Sequence, residues 1–221
     1  MLITDVIFDL GKVLVPFDWG IAIRRLAVQF PDEIGRPDPH NPQSLFSMIG
    51  DLIDLLEIGV INFTEFHALV SSRTGLSISE ASFREIWCEI FKLDPNVVGL
   101  GRKLAESHNV WLASNTNRAH YEYIVQRFPE ILFFRKAALS YELGCKKPET
   151  LFFQKVIDLF DIKPEQAVFI DDLQENVTAA KGVGINAIRF TSFESLLNDL
   201  NHLGLFAHPV SRRQVVEKRS L

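Results

Sequence analysis

The sequence predicts an α/β fold: a doubly wound parallel sheet carrying an inserted α-helical cap. Three features of the 221-residue chain lead there. Short runs rich in β-branched and aromatic residues alternate with helix-period stretches, as strands and their covering helices do in parallel sheets. The alternation stops between Pro16 and about Lys92, where only helical spacing is found. Several apolar runs end in polar groups, and ligands of such sheets bind off the carboxyl ends of the strands.

The first strand is Val6-Ile7-Phe8, a continuous apolar run suited to a sheet covered on both faces. It ends at Asp9, with Gly11 two residues further on; a turn or cap Asp is the plain alternative. In the insertion, Ile21, Arg24, Arg25, Leu26 and Val28 suggest a first helix, and the proline-rich stretch 31–42 is loop. Leu45, Met48, Ile49, Leu52, Leu55 and Leu56 form an amphipathic face that Gly59 ends. Asn62 and Glu65 have capping-box spacing, and Phe63, Phe66 and Val70 line one face until Gly75. Ser79 opens a fourth helix with Phe83, Ile86, Trp87 and Ile90 inward. Four short helices with facing apolar stripes make a small bundle.

Asp94-Pro95 restarts the core, Asp as N-cap and Pro at the first helical position, with a helix to about Ser107. Val110-Trp111-Leu112-Ala113 is a second strand, ending in Ser114-Asn115-Thr116-Asn117. A helix follows with Tyr121, Ile124, Val125 and Phe128 inward, then a short strand, Ala137-Ala138-Leu139. The loop Gly144 to Glu149 leads into a helix with Pro148 at its first position and Phe152, Val156, Leu159 and Phe160 buried. Ala167-Val168-Phe169-Ile170 is a fourth strand, ending in Asp171-Asp172. The next helix, from about Glu175 to Lys181, stops at Gly182 or Gly184. A fifth strand at 187–190 precedes a last helix through Leu196, Leu197 and Leu200. The expected organisation is a core of residues 1–15 and 93–205, a helical insertion at 16–92, and a basic tail at 206–221, read as a solvated terminus.

Composition narrows the class. Hydrophobic residues make up 47% and charged ones 23%, as in ordinary globular proteins. A net charge of −5 gives no field that favours nucleic acid. No run is long enough to span a membrane, and the N-terminus lacks a basic n-region. Cys88 and Cys145 have no disulfide or metal spacing, and no two histidines have zinc-ligand spacing. The expectation is a cytoplasmic protein with reduced thiols that binds neither nucleic acid nor membrane; its oligomeric state is left open.

In a parallel sheet, Asp9, Ser114, Asn115, Lys147, Asp171 and Asp172 come to one edge. Singly, Ser114 or Asn115 reads as a helix cap, Lys147 as a surface lysine and Asp171-Asp172 as a turn. Together the carboxylates repel. Two like charges about 4 Å apart at an effective dielectric near 20 cost roughly 4 kcal/mol, so a cation belongs among them. Oxygen ligands favour Mg²⁺, which also takes substrate phosphate oxygens. The set suits phosphoryl transfer, in which an anionic nucleophile must approach an anionic phosphate. Asp9 would attack phosphorus, and water would hydrolyse the aspartyl-phosphate.

Phe8-Asp9-Leu10-Gly11-Lys12-Val13-Leu14, Leu112-Ala113-Ser114-Asn115-Thr116-Asn117, Lys147-Pro148-Glu149 and Phe169-Ile170-Asp171-Asp172 resemble the four motifs of the haloacid dehalogenase superfamily, in order. The helical insertion resembles that superfamily's type 1 cap. Ser114-Asn115-Thr116-Asn117-Arg118 and Lys147-Pro148-Glu149 look most like the branch with bacterial glucose-1-phosphate phosphatases and the phosphatase domain of soluble epoxide hydrolases. The resemblance implies a Mg²⁺-dependent phosphatase acting on a small phosphorylated metabolite, a sugar phosphate favoured. Asp9 would be nucleophile and metal ligand, and Ser114 and Asn115 would hold the phosphoryl group. Lys147 would position Asp9 and the phosphate. Asp172 would bind the ion directly, and Asp171 would act nearby or through water.

One position departs from the pattern. Most phosphatases of this superfamily carry a general acid–base Asp two residues after the nucleophile, and here that residue is Gly11. Its carbonyl can still serve the metal. General acid catalysis is worth about 10²–10⁴-fold, or roughly 3–5 kcal/mol of barrier. The glucose-1-phosphate-like branch also has Gly here, which implies esters whose leaving group needs little protonation. Asp18 offers a substitute acid or a plain N-cap. Gly11 also keeps open a catalytically impaired module that binds a phospho-ligand or a protein, and it argues against a phosphomutase, which by the resemblance needs the second Asp. A metal-independent dehalogenase is the nearest rival, against which the Asp171-Asp172 pair argues. Phe17, Trp19 and Trp87 offer either ring stacking or core packing.

Overall fold

A computed structural model describes residues 2–29, 38 and 41–206. Among them are five strands: β1 (Asp5–Phe8), β2 (Asn109–Ser114), β3 (Ala137–Leu139), β4 (Ala167–Asp171) and β5 (Asn186–Arg189). They form one sheet in the order β3-β2-β1-β4-β5, every pair parallel. The chain winds outward from β1 to β3, then returns to β4 on the other side of β1. The winding direction therefore reverses between β1 and β4, where such sheets open a crevice at their carboxyl edge.

The continuous apolar runs are explained by burial on both faces. Val6, Phe8, Val110, Leu112, Val168 and Ile170 pack into one layer. Ile7, Ala113, Ala138, Ala167 and Phe169 pack into the other. Register aligns Phe8 with both Leu112 and Ile170. Asp9, Ser114 and Asp171 are consequently delivered to the same edge.

The insertion holds α1 (Trp19–Ala27), α2 (Pro42–Glu57), α3 (Phe63–Thr74) and α4 (Glu80–Cys88). These share their own apolar cluster, centred on Phe66, Phe83 and Trp87. Trp87 lies 5.0 Å from Phe66 and 5.6 Å from Phe83, centroid to centroid. The caps fall where the sequence placed them. Asn62 and Glu65 make a reciprocal capping box, Ser79 caps α4, and Gly75 closes α3 with φ 72°. The chain enters and leaves the insertion as two adjacent extended segments. Phe17 bridges Phe91, the Asp18 amide donates to the Ile90 carbonyl at 3.0 Å, and the Lys92 amide donates to the Pro16 carbonyl at 2.8 Å.

The core continues with α5 (Pro95–Leu104), capped by Asp94, and α6 (Arg118–Arg127). Then come α7 (Ser140–Leu143), α8 (Thr150–Phe160), α9 (Gln174–Gly182) and α10 (Phe193–His202). Four expectations need correction. Val28 is 71% exposed and ends α1 instead of packing beneath it; Ala22, Ile23 and Leu26 form the inner face. The buried face of α6 is Ala119, His120 and Ile124, with Tyr121, Val125 and Phe128 only half-buried. Pro148 precedes α8, which starts at Thr150, because the Lys147 backbone is held by Asn115. The buried face of α8 is Phe152, Phe153, Val156 and Phe160, with Leu159 only half-buried; α7, with four residues, is too short to show a period. Of the loop read at 31–42, only Asp38, Asn41 and Pro42 are described, and Asn41 caps α2. The tail beyond Phe206 lies outside the described residues. No helix among them is long and apolar enough to cross a membrane.

At the amino-terminal edge, Asp5 is 5% exposed and ties β1 to β2. It accepts hydrogen bonds from Trp111 Nε1 at 2.9 Å, Asn109 Nδ2 at 3.0 Å and Thr4 Oγ1 at 2.6 Å. Removing a buried acceptor leaves its donors unsatisfied, at about 1–3 kcal/mol. Asp5→Ala is expected to lose about 2–3 kcal/mol in urea unfolding, and Asp5→Asn, which keeps one acceptor oxygen, less.

Candidate active site

Four elements bring the site together. Asp9 leaves β1 with its amide donating to the Ile170 carbonyl at 2.9 Å, which fixes it against β4. Ser114 ends β2, Asp171 ends β4, and both are buried. Lys147 arrives from the α7–α8 loop, 3% exposed. Its Nζ lies 2.7 Å from Asp9 Oδ1, 2.7 Å from Asp171 Oδ2 and 3.0 Å from the Ala113 carbonyl. All three ammonium protons are thereby used.

The lysine backbone is held as firmly as its tip. Asn115 Nδ2 donates to the Lys147 carbonyl at 2.9 Å, and Asn115 Oδ1 accepts from the Lys147 amide at 2.8 Å. The Lys147-Pro148 peptide is cis. Asp171 is saturated in turn. Its Oδ1 accepts from the Leu173 amide at 2.8 Å, and Asn176 Nδ2 lies 3.0 Å from both oxygens. Asp172 follows, half-buried. Carboxylate oxygens of Asp9, Asp171 and Asp172 all lie within 4.8 Å of one another.

The electrostatics follow from that crowding. Burial pushes the Asp9 carboxyl up to about 7; Lys147 pulls it down and Asp171 pushes it up further. Burial and the Asp171 charge also raise Asp172. Burial opposes the charge on Lys147, but Asp9 and Asp171 outweigh it and hold its pKa above the ordinary lysine value. With every group ionised, three carboxylates face one ammonium and two negative charges are left over. An oxygen-only cluster of that charge fits a hard divalent cation. Such a cation would return Asp9 to its ionised form.

The turn after β1 is tight. The Leu14 and Val15 amides both donate to the Leu10 carbonyl, at 3.0 and 2.9 Å, and Lys12 takes φ 57°. A Cβ at Gly11 would sit 3.0 Å from Phe17 Cε1, so any side chain there presses on that ring. Gly11, Ser114 and Asn115 line a cavity of about 90 Å³ walled by Phe17, Trp19 and Phe91. A larger hollow of about 1040 Å³ lies between α5 and α10 and is lined by none of the three carboxylates.

All six predicted side chains meet here, in unequal roles. Neither Ser114 nor Asn115 caps a helix; Asn117 caps α6. The Ser114 hydroxyl makes only a long bond, 3.3 Å, to the Asn115 carbonyl. Asp18 is the N-cap of α1, accepting from the Gly20 amide at 2.8 Å, with its side chain 62% exposed. Trp87 is core, whereas Phe17 and Trp19 reach the cavity. The sequence reading missed Asn176, Ser140 and Glu57. Asn176 sits four residues past Asp172 on a helix with little apolar patterning, so only its contact with Asp171 identifies it. Ser140 Oγ accepts from the Thr116 amide at 2.9 Å and lies 2.6 Å from the Glu57 carbonyl, joining β2, α7 and α2.

A model of the haloacid dehalogenase-like hydrolase family matches residues 6–184. The chain belongs to that family. It is 26% identical over 195 residues to a D-ribitol-5-phosphate phosphatase of Bacteroides thetaiotaomicron, covering 85% of this chain and 92% of the relative. Its fold is similar to that of a HAD family enzyme of the same organism in complex with magnesium and inorganic phosphate. That likeness has a TM-score of 0.74 at 25% identity and covers 86% of this chain and 94% of the other. A predicted HAD-like hydrolase of Porphyromonas gingivalis shares the fold at a TM-score of 0.75 and 24% identity, over 92% and 98% of the two chains.

The raised Asp9 pKa gives a stability signature. The folded form holds a proton that the unfolded form has released between pH about 4 and about 7. In that window the metal-free protein loses stability as pH rises, and above it the contribution is flat. Asp9→Asn is expected to remove this slope in urea unfolding with EDTA. Mg²⁺ is expected to raise the melting temperature more at pH 8 than at pH 5. Lys147→Met strands two buried carboxylates and is expected to cost about 3–5 kcal/mol at pH 8, partly recovered at pH 5, where Asp9 protonates.

Proposed function

We propose that this hydrolase is a Mg²⁺-dependent phosphatase that acts on a small sugar or polyol phosphate through an aspartyl-phosphate on Asp9. The observation that carries the reading is the buried Lys147 bridge between Asp9 and Asp171, with Asp172 beside it. The phosphatase class is supported by the relatives, among them the D-ribitol-5-phosphate phosphatase and the fold neighbour that binds magnesium and phosphate.

The residues divide the work. Lys147 holds Asp9 Oδ1 at 2.7 Å, which orients the carboxylate for in-line attack. With its protons already taken, the lysine acts on the phosphoryl group chiefly by its charge. The Ser114 hydroxyl, weakly bonded, turns to a phosphoryl oxygen. Asn115 serves at one remove, through its clamp on Lys147. Asp9, Asp172 and the Gly11 carbonyl would hold the ion, with Asp171 behind them, fully bonded to Lys147, Leu173 and Asn176. A bound Mg²⁺ supplies charge neutralisation of the carboxylates and the transferred phosphoryl group. Residues 16–92 serve as the cap, whose aromatic wall keeps water from the 90 Å³ cavity.

Phosphate release with Mg²⁺ is expected from polyol and sugar phosphates ahead of nucleotides and FMN. EDTA is expected to abolish it and Mg²⁺ to restore it. Asp9→Asn is expected to abolish turnover, and acid-quenched wild type to carry label from a ³²P-substrate that the variant lacks. Release that persists in Asp9→Asn or in EDTA would overturn the reading.

A further inference from the structure

The phosphatase reading leaves one chemical gap. Gly11 has no proton to give, and an alkoxide leaves phosphorus slowly unless it is protonated. Glu57, in the last turn of α2, lines the same cavity as Gly11, Ser114 and Asn115, and it contributes the cavity's one carboxyl group among the described residues. It is fastened from the core side. Ser140 Oγ lies 2.6 Å from its carbonyl, and Lys146 Nζ lies 3.2 Å from its Oε2 and 2.5 Å from Asp54 Oδ1. Oε1 takes no hydrogen bond from the described residues.

The other titratable group on the cavity wall is committed elsewhere. His120 places Nε2 3.1 Å from the Trp87 carbonyl and Nδ1 3.1 Å from Asn117 Nδ2. Burial pushes its pKa down to about 4, so it stays neutral. Asp18 is exposed and occupied as a cap.

We propose that Glu57 is the catalytic acid–base group of the reaction, entering from the helical insertion in place of a side chain at position 11. Resting on the phosphatase reading, the step balances simply. As the Asp9–phosphorus bond forms and the ester P–O bond breaks, the Glu57 carboxyl gives its proton to the departing oxygen. The resulting carboxylate then takes a proton from the water that attacks the aspartyl-phosphate, which restores both groups. Burial raises the Glu57 carboxyl above the ordinary value; Lys146 and Lys147 pull it down, and Asp54 pushes it up. A Cβ at position 11 would press on the Phe17 ring at 3.0 Å, whereas the end of α2 already places Glu57 on the cavity wall.

The test compares a glycerol phosphate, with a basic alkoxide leaving group, and p-nitrophenyl phosphate, whose leaving group needs no proton. In Glu57→Gln the ratio of alkyl to aryl kcat/KM is expected to fall by about 10²-fold or more. The alkaline limb of the alkyl pH profile is expected to disappear, and Glu57→Asp to recover part of the alkyl rate. An unchanged ratio, or equal losses on both esters, would overturn the proposal. Should Glu57→Gln not fold, Lys146→Met carries the test. It removes a neighbouring positive charge, so the alkaline limb moves to higher pH; an unmoved limb counts against Glu57. Asp9→Asn separates the two claims. If it abolishes both activities while Glu57→Gln spares the ratio, the phosphatase reading stands and the acid lies elsewhere. If it leaves the aryl rate intact, the phosphatase reading itself falls.

Discussion

One buried ammonium holds the site together. Lys147 touches the residue after β1, the last residue of β4 and a carbonyl near the end of β2, so a single cation ties three strand ends. A buried charge is tolerated only when it is paired and its donors are satisfied. Here both conditions hold, because the loop that carries the lysine is clamped by Asn115 and the carboxylate opposite is braced by Asn176 and the Leu173 amide. The lysine geometry is thus supported from two sides, which preorganises the Asp9 carboxylate it holds.

The same pairing is deliberately incomplete. One ammonium against three carboxylates leaves excess negative charge, and burial drives Asp9 toward its protonated form. A divalent ion would balance that charge and favour the ionised form of Asp9. The carboxylates and the lysine all come from the sheet and its loops, so in the proposed reaction leaving-group chemistry would fall to whatever closes over them.

In the proposed reaction that closure would come from the insertion. Its two connecting segments run side by side, its helices have their own aromatic core, and its α2 end meets the catalytic loop through Lys146, Asp54 and Glu57. Lys146 and Lys147 are adjacent in sequence and hold different partners, one in the insertion and one in the sheet. Neighbouring residues therefore tie the position of α2 to the position of Asp9.

The sequence by itself determined the sheet, most of its helices and the convergence of Asp9, Lys147, Asp171 and Asp172 at one edge. Apolar runs of β-branched and aromatic residues mark strands buried on both faces, Asn62, Ser79 and Asp94 mark helix starts, and Asp9, Ser114 and Asp171 stand at strand ends because each follows its run directly. These signals are local: each depends on a residue and its near neighbours along the chain. Only the tertiary structure decided which groups share a hydrogen bond. The motifs mark Asn115, Lys147 and Asp171 but not that Asn115 clamps the Lys147 backbone; Asn176 and Ser140 carry no mark in their own segments, and Asp18 proved a cap while Glu57 proved a cavity wall. Periodicity reports which side of an element is buried, but not what a polar side chain meets there, and that meeting is set by packing between elements far apart in the chain.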